Sequence, residues 1–234
     1  MDFNNFFFNK ELILKKALKL DSSSRLRLEH EAFTHGAVSF LILPHKENTK
    51  AYNLVLIKRT HRKGDKHSGE MSFPGGKFER KKDNTYLDTA LRETEEELGI
   101  PRENIKILGS LNDHITPKFF IITPIIAYIN HNQPMVKQES EVKEIVKIPI
   151  SFFANKKNYK ERQYHLGENR IAVGKYVYRP SNEKKYTIFG ATSHIIVSFL
   201  QRIYDLRLMK PGYRRLDCDD LNKKNEKRIN SSYP

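Results

Sequence analysis

Residues 89–100, Thr-Ala-Leu-Arg-Glu-Thr-Glu-Glu-Glu-Leu-Gly-Ile, set four carboxylates into five positions. On a helical wheel of about 100° per residue, Glu93, Glu96 and Glu97 share one face; Leu87, Leu91, Thr94 and Leu98 gather on another, and Glu95 stands apart. Like charges at these spacings repel by roughly 0.2–0.5 kcal/mol per pair. A solvated helix face carries that cost, whereas a hard divalent cation with oxygen ligands turns it into binding. Spacing alone leaves both readings open, so the neighbouring residues must separate them. Gly75 and Gly76 lie a short way upstream, and a glycine pair lets backbone approach a ligand closely and can expose a carbonyl to a metal. Before them, residues 58–67 form a basic run in which Arg59, Arg62 and Lys66 are candidate phosphate contacts and His67 a loop residue; a solvated basic loop is the alternative.

These groups need elements to position them. A helix is expected over about residues 85–98: Thr85 with Asp88 makes a capping box, Asp83 is a competing cap, and Gly99 stands where a C′ glycine belongs. Strand patterns occupy 37–43, 53–57, 105–111, 119–129 and 144–150, and the run at 119–129 is apolar enough to be central in a sheet. A hairpin is expected from 164–173 with 175–179, and a final helix over 191–206 buries Ile195, Ile196, Phe199, Leu200 and Ile203. Residues 9–32 read as helical with a break at Ser22-Ser23-Ser24, and beyond Met209 apolar density collapses into a basic, disordered tail. This order of elements suggests an α/β (α+β) fold, a mixed sheet flanked by helices. The implied division is a helical extension over 1–34, a main domain over 35–208 and a tail over 209–234.

Composition narrows the function classes. With 234 residues, 38% of them hydrophobic and 30% charged, the chain can bury one sizeable core. Its apolar runs fall short of the roughly 18 residues a spanning helix needs, and its start lacks the basic and apolar regions of a signal peptide. The single cysteine, Cys218, excludes an internal disulfide and a cysteine-rich metal site, and points to a reducing compartment, with cytoplasm as the default. A formal net charge of +14 suits anionic partners, either nucleic acid or phosphorylated small molecules.

Taken together, Gly75-Gly76 and Arg92-Glu93-x-x-Glu96-Glu97-x-Gly99-Ile100 resemble the Nudix box. Thr94 stands in one of that box's apolar slots. Gly76 lies two positions further from Arg92 than usual, and Asn84 replaces an expected glutamate, so Asp83 or Glu79 is the substitute. The longer spacing resembles the coenzyme A diphosphatase branch. So do residues 67–77 (His-Ser-Gly-Glu-Met-Ser-Phe-Pro-Gly-Gly-Lys), 120–126 (Phe-Ile-Ile-Thr-Pro-Ile-Ile), 141–150 and 188–192, although Lys118-Phe119 stands where Ser-Gly is common.

The resemblance implies a Nudix-type α/β/α sandwich. It implies hydrolysis of the diphosphate of CoA or acyl-CoA, with Mg²⁺ or Mn²⁺ held by Glu93, Glu96, Glu97 and a backbone carbonyl at Gly75 or Gly76. Glu96 and Glu97 are the surest ligands, and Glu93 is a ligand or the base. Arg92 holds the site through a neighbouring carboxylate, and Glu141 supplies a further acid from a later loop. Arg59, Arg62, Lys66, Gly75, Gly76 and Lys77 face the substrate. Other nucleoside diphosphate derivatives are the sibling alternative, and a basic RNA-binding or RNA 5′-end-processing protein is the alternative from another class. A monomer or homodimer, without a membrane partner, completes the expectation.

Overall fold

The computed structural model describes residues 6, 8–46, 51–61, 68–166, 169–216 and 220. Strands β1 (Thr34–Pro44), β2 (Tyr52–Arg59), β3 (Met71–Ser72), β4 (Gly75–Lys77), β5 (Lys106–Ser110), β6 (His114–Thr116), β7 (Phe120–Tyr128) and β8 (Val142–Pro149) join in one sheet. Its spine runs β3-β2-β1-β7-β5, with β4 on β1, β6 on β7 and β8 on β2. β1 and β7 run parallel, from Thr34 opposite Phe120 to Ile42 opposite Tyr128, while β2 and β4 flank β1 antiparallel. The sheet is therefore mixed, as the order of elements suggested. A second, antiparallel sheet holds β9 (Tyr159–Leu166), β10 (Asn169–Tyr178) and β11 (Tyr186–Phe189). The helices are α1 (Lys10–Lys16), α2 (Tyr86–Leu98), α3 (Ile150–Ala154) and α4 (Gly190–Tyr204).

Side-chain alternation decides which helix lies on which face. Phe40 and Ile42 of β1, Leu54 and Leu56 of β2 and Ile126 of β7 pack with Phe199, Leu200 and Ile203 of α4. Their neighbours Leu41, Leu43, Val55, Ile57 and Ala127 pack with Leu98 of α2 and Ile100. Each such side chain, fully buried, contributes about 1.5–3 kcal/mol. The site helix is thus pinned to one face of the sheet and α4 to the other, giving the α/β/α layering.

Three expectations need correction. The N-terminal helix ends at Lys16, not near 32: Ala17 turns extended, and Leu18 exchanges backbone hydrogen bonds of 3.0 and 2.7 Å with Ser110 at the edge of β5. Tertiary pairing and a buried ion pair between Arg25 and Asp113 override weak helix propensity there. The hairpin pairs β9 with an unbroken β10, in which Gly174 lies opposite Glu161 and forms no turn. Gly174 is required by crowding, since a Cβ would sit 2.7 Å from Ser193 Oγ. Finally, residues 209–216, read as the start of a tail, lie along β10, where Arg214 N–H donates to Arg170 C=O (3.0 Å) and Arg214 C=O accepts from Ala172 (3.1 Å). Cys218 lies outside the described residues.

Candidate active site

β4 delivers the glycine pair to the site by pairing with β1, Gly75 opposite Val38 and Gly76 opposite Ala37. The approach is close: Gly75 has φ 150°, and a Cβ there would meet Ala37 O at 2.4 Å. Gly36 is equally constrained, because a Cβ on it would lie 2.4 Å from the carbonyl oxygen of Gly76. α2 then begins at a complete capping box, with Thr85 Oγ1 accepting from Asp88 N and Asp88 Oδ2 accepting from Thr85 N (2.8 Å). It ends at Gly99 in the left-handed region, φ 62°.

Arg92 organises the acidic face. The residue is 5% exposed, and its guanidinium donates to Asp83 through Nε (2.8 Å) and Nη2 (3.0 Å), to Glu93 Oε1 (2.8 Å), to Glu96 Oε2 (3.0 Å) and to the Lys77 carbonyl (3.1 Å). Asp83 is the acid that replaces the displaced glutamate of the motif. Hydrogen bonds from Arg92, from Glu79 N–H (3.0 Å) and from Thr89 Oγ1 (2.9 Å) hold its carboxyl far below the usual carboxylate range despite burial. Glu79, the other substitute, supplies only backbone to this network. Thr94 fits its apolar slot because its hydroxyl is satisfied locally, bonding Ala90 C=O (2.7 Å) and Ser39 Oγ (2.7 Å).

The three glutamates differ sharply in environment. Glu97 is 1% exposed and accepts one hydrogen bond, from Gly75 N–H (3.0 Å). Burial pushes its carboxyl up to about 8, the Glu93 and Glu141 charges push the same way, and Arg59 opposes them. Glu93 is half-buried and also raised by burial against the pull of Arg92, and its carboxylate packs against the Cα of Gly76, where a Cβ would lie 2.3 Å from Oε1. Glu96 is the most open, its side chain 51% exposed. Glu93 Oε2, Glu96 Oε1 and Glu97 Oε1 have no hydrogen bond among the described residues.

Of the other candidate residues, Arg59 and Glu141 come within electrostatic reach of Glu97, at the end of β2 and the start of β8. They are tied together by Thr60 N–H donating to the Glu141 carbonyl (2.9 Å). Lys77 gives its carbonyl to Arg92 and sets its ammonium over the Phe120 ring, 5.8 Å from the centroid. Arg62, Lys66 and His67 lie outside the described residues. Asp83 was one of two candidates in the sequence; Gly36 and Ser39 carried no signal there, since only the three-dimensional approach of β4 and α2 to β1 gives them a role.

A model of the NUDIX domain matches residues 34–164. This chain belongs to the Nudix hydrolase family. It is 32% identical over 169 residues to the uncharacterized Nudix hydrolase NudL of Yersinia enterocolitica, covering 72% of this chain and 81% of that one. A NudL of Yersinia pestis is 31% identical over 138 residues, covering 59% and 66%. Among solved structures, a MutT/nudix family protein from Enterococcus faecalis shares the fold at TM-score 0.50 and 17% identity, over 89% of this chain and 84% of that one. Nudix hydrolases act on diphosphate linkages and generally require divalent metal ions.

The donor set of this Nudix site fits such an ion, in part. Among the described residues no three acidic or imidazole side chains already form a ready cage. Arg92 takes one oxygen each of Glu93 and Glu96, and a second oxygen on each remains. Glu97 is the strongest argument: a carboxyl this deeply buried, with only an amide as partner, ionises readily only beside a cation.

Proposed function

We propose that this Nudix hydrolase uses Mg²⁺, with Mn²⁺ able to replace it, to split the diphosphate of CoA or acyl-CoA into 3′,5′-ADP and (acyl-)4′-phosphopantetheine. The observation that carries the proposal is the Arg92-anchored face on which buried Glu97 stands beside Glu93 and Glu96. The CoA assignment rests on the sequence resemblance at residues 67–77 and 120–126. A bound divalent ion supplies charge neutralisation at the diphosphate and a more acidic water.

The remaining work belongs to side chains of this chain. Glu96 and Glu97 hold the ion, and Glu93 takes the proton of the attacking water or shares in holding the ion. The water oxygen joins one phosphorus as the bridging P–O bond breaks, and the departing phosphate leaves with the bridging oxygen. Arg92 does not reach substrate; bound to Asp83, it fixes the rotamers of Glu93 and Glu96. Arg59, near Glu97, offers a guanidinium to phosphate oxygens, with Arg62 and Lys66 following in the sequence. Glu141 adds negative charge within reach of Glu93 and Glu97.

One structural feature favours a second reading, another nucleoside diphosphate derivative. Phe119 occupies the left-handed region, φ 59°, at the turn where the resemblance leads one to expect glycine, and its ring packs on Phe33 (5.3 Å). The chain has therefore placed an aromatic, at a backbone cost of order 1–3 kcal/mol, beside the strand that carries Phe120. Product analysis distinguishes the readings. Release of 3′,5′-ADP from CoA with Mg²⁺, abolished in Glu96→Gln, supports the CoA assignment. Turnover of ADP-ribose or a dinucleotide in place of CoA supports the second, and no metal-dependent turnover of any diphosphate rejects both.

A further inference from the structure

Across the sheet from α2, the end of α1, the loop after β5, α4 and the segment after α4 line a half-open pocket of about 790 Å³. Its wall carries five cations, Lys15, Lys16, Arg202, Arg214 and Arg215. Their counter-charges are unevenly spent. Asp205 takes Lys16 at 2.6 Å, Asp220 grips Arg214 through two oxygens at 2.6 and 2.7 Å, and Asp113 on the wall is committed to Arg25. Arg202 reaches only a neutral acceptor, the Lys16 carbonyl at 2.7 Å, and Arg215 reaches the Ser198 hydroxyl. Neither guanidinium has a carboxylate partner among the described residues.

Arg215 makes this more than a charged surface. Its guanidinium is deep enough that burial lowers its pKa, with the nearby Tyr159 only partly compensating. Burying a guanidinium without a carboxylate is costly unless something else completes it. Arginine's planar fork matches phosphate and carboxylate oxygens, and Arg202 and Arg215, with Lys15, offer a trio suited to a dianion. The wall also includes Pro124, Ile195 and Tyr213, apolar and aromatic groups against which an organic moiety can lie. A volume of this size falls within the roughly 300–1,000 Å³ of small-molecule sites. Concavity and a part-buried arginine favour a compact ligand over an extended strand, which binds along open, aromatic-lined grooves.

We propose that this pocket is a second binding site, for a small organic phosphomonoester such as a nucleoside monophosphate, on the face of the sheet opposite the glutamate helix. The site is independent of the reaction assigned to α2, and its ligand is held without a divalent ion. Calorimetric titration of the full chain with adenosine 5′-monophosphate, in low salt without divalent cations, tests it. Wild type and Glu96→Gln should bind equally. The Lys15→Ala/Arg202→Ala variant, altered at outward positions and checked by thermal melting, should bind at least tenfold more weakly, as should Arg215→Gln. Equal affinity in the double variant, or loss in Glu96→Gln, overturns the site. Inorganic phosphate binding as tightly as the nucleotide overturns the organic ligand. A short single-stranded RNA that binds more tightly than the nucleotide, and weakens in the same double variant, overturns the small-molecule assignment in favour of nucleic acid.

Discussion

At the scale of single residues, the site is a division of labour between one buried arginine and the acids around it. Asp83 and Arg92 form a nearly solvent-free pair, so removing the acid takes away two buried hydrogen bonds and the one fully buried counter-charge of the guanidinium. Asp83→Ala should therefore cost about 3–5 kcal/mol in urea denaturation and lower kcat as Glu93 and Glu96 lose their anchor. Glu96→Gln, at a half-exposed position, should leave stability within about 0.5 kcal/mol while lowering kcat by about 100-fold or more. An Asp83→Ala protein with the wild-type urea midpoint would show that the pair is not structural. A second expectation concerns Ser39 and Thr94, whose hydroxyls lie 2.7 Å apart in the core between β1 and α2. Thr94→Val and Ser39→Ala should each cost about 1 kcal/mol by leaving a buried partner unmade, and the double variant clearly less than their sum; strict additivity in a double-mutant cycle would refute the coupling. The glutamates were legible because their spacing is local. Asp83 was only half legible, because its reach to Arg92 depends on the turn at residues 79–83, where Asp83 N–H closes onto Glu79 C=O at 2.8 Å.

Elements show the same contrast. α2 was legible end to end, since capping box, apolar stripe and C′ glycine agree, and Thr85→Ala should cost about 1 kcal/mol in thermal or urea unfolding. β6, β11 and α3 were missed because runs of three to five residues carry too little periodicity. β10 was cut at Gly174 because a glycine inside a strand reads as a turn until its crowded neighbour is seen. β6 and α4 also meet through a buried ring pair, His114 edge-on to His194 at 5.4 Å, with Gly174 N–H donating to His194 Nε2 at 3.0 Å. Burial pushes His114 down to about 3 and holds His194 well below its ordinary value. Both rings stay neutral in the fold while the unfolded chain protonates them near pH 6.5, so the unfolded state binds more protons below that point. Stability is then full above about pH 6.5 and falls as pH drops toward 3, by at most about 1.4 kcal/mol per unit for each ring. Glu97, raised to about 8, acts in the opposite sense between its unfolded value and 8, so the comparison is made between variants. His114→Leu should lose about 2 kcal/mol less than wild type between pH 7 and pH 5, and parallel profiles would remove His114 from the account.

For the whole molecule, the N-terminal segment belongs to the core that α4 caps, although in the sequence it read as a helical extension. Ile13 is fully buried with Phe40, Ile126 and Phe199, Leu18 closes the edge of β5, and Arg202 caps the last turn of α1 through the Lys16 carbonyl at 2.7 Å. The decisive tie is Arg25. It donates to the Leu111 carbonyl (3.0 Å), to Thr123 Oγ1 (3.2 Å) and to Asp113, which in turn accepts from Thr123 Oγ1 (2.7 Å) and Leu28 N–H (3.0 Å). A single buried guanidinium thus links the N-terminal segment, the β5–β6 loop and β7, elements far apart in sequence, and such a long-range network leaves no periodic signal. Its loss should be felt globally. Arg25→Ala, which leaves Asp113 buried without its cation, should cost about 3–5 kcal/mol, a large part of the 5–15 kcal/mol typical of a domain. The isosteric apolar pair Arg25→Met/Asp113→Leu should cost less than Arg25→Ala alone, because neither charge is then stranded. Among the described residues Arg25 bonds Leu111, Asp113 and Thr123 and none of Arg92, Glu93, Glu96 or Glu97, so Arg25→Ala should lower the urea midpoint while leaving kcat of the folded fraction within about twofold. A variant that keeps its midpoint but loses turnover would move Arg25 from the scaffold into the catalytic machinery.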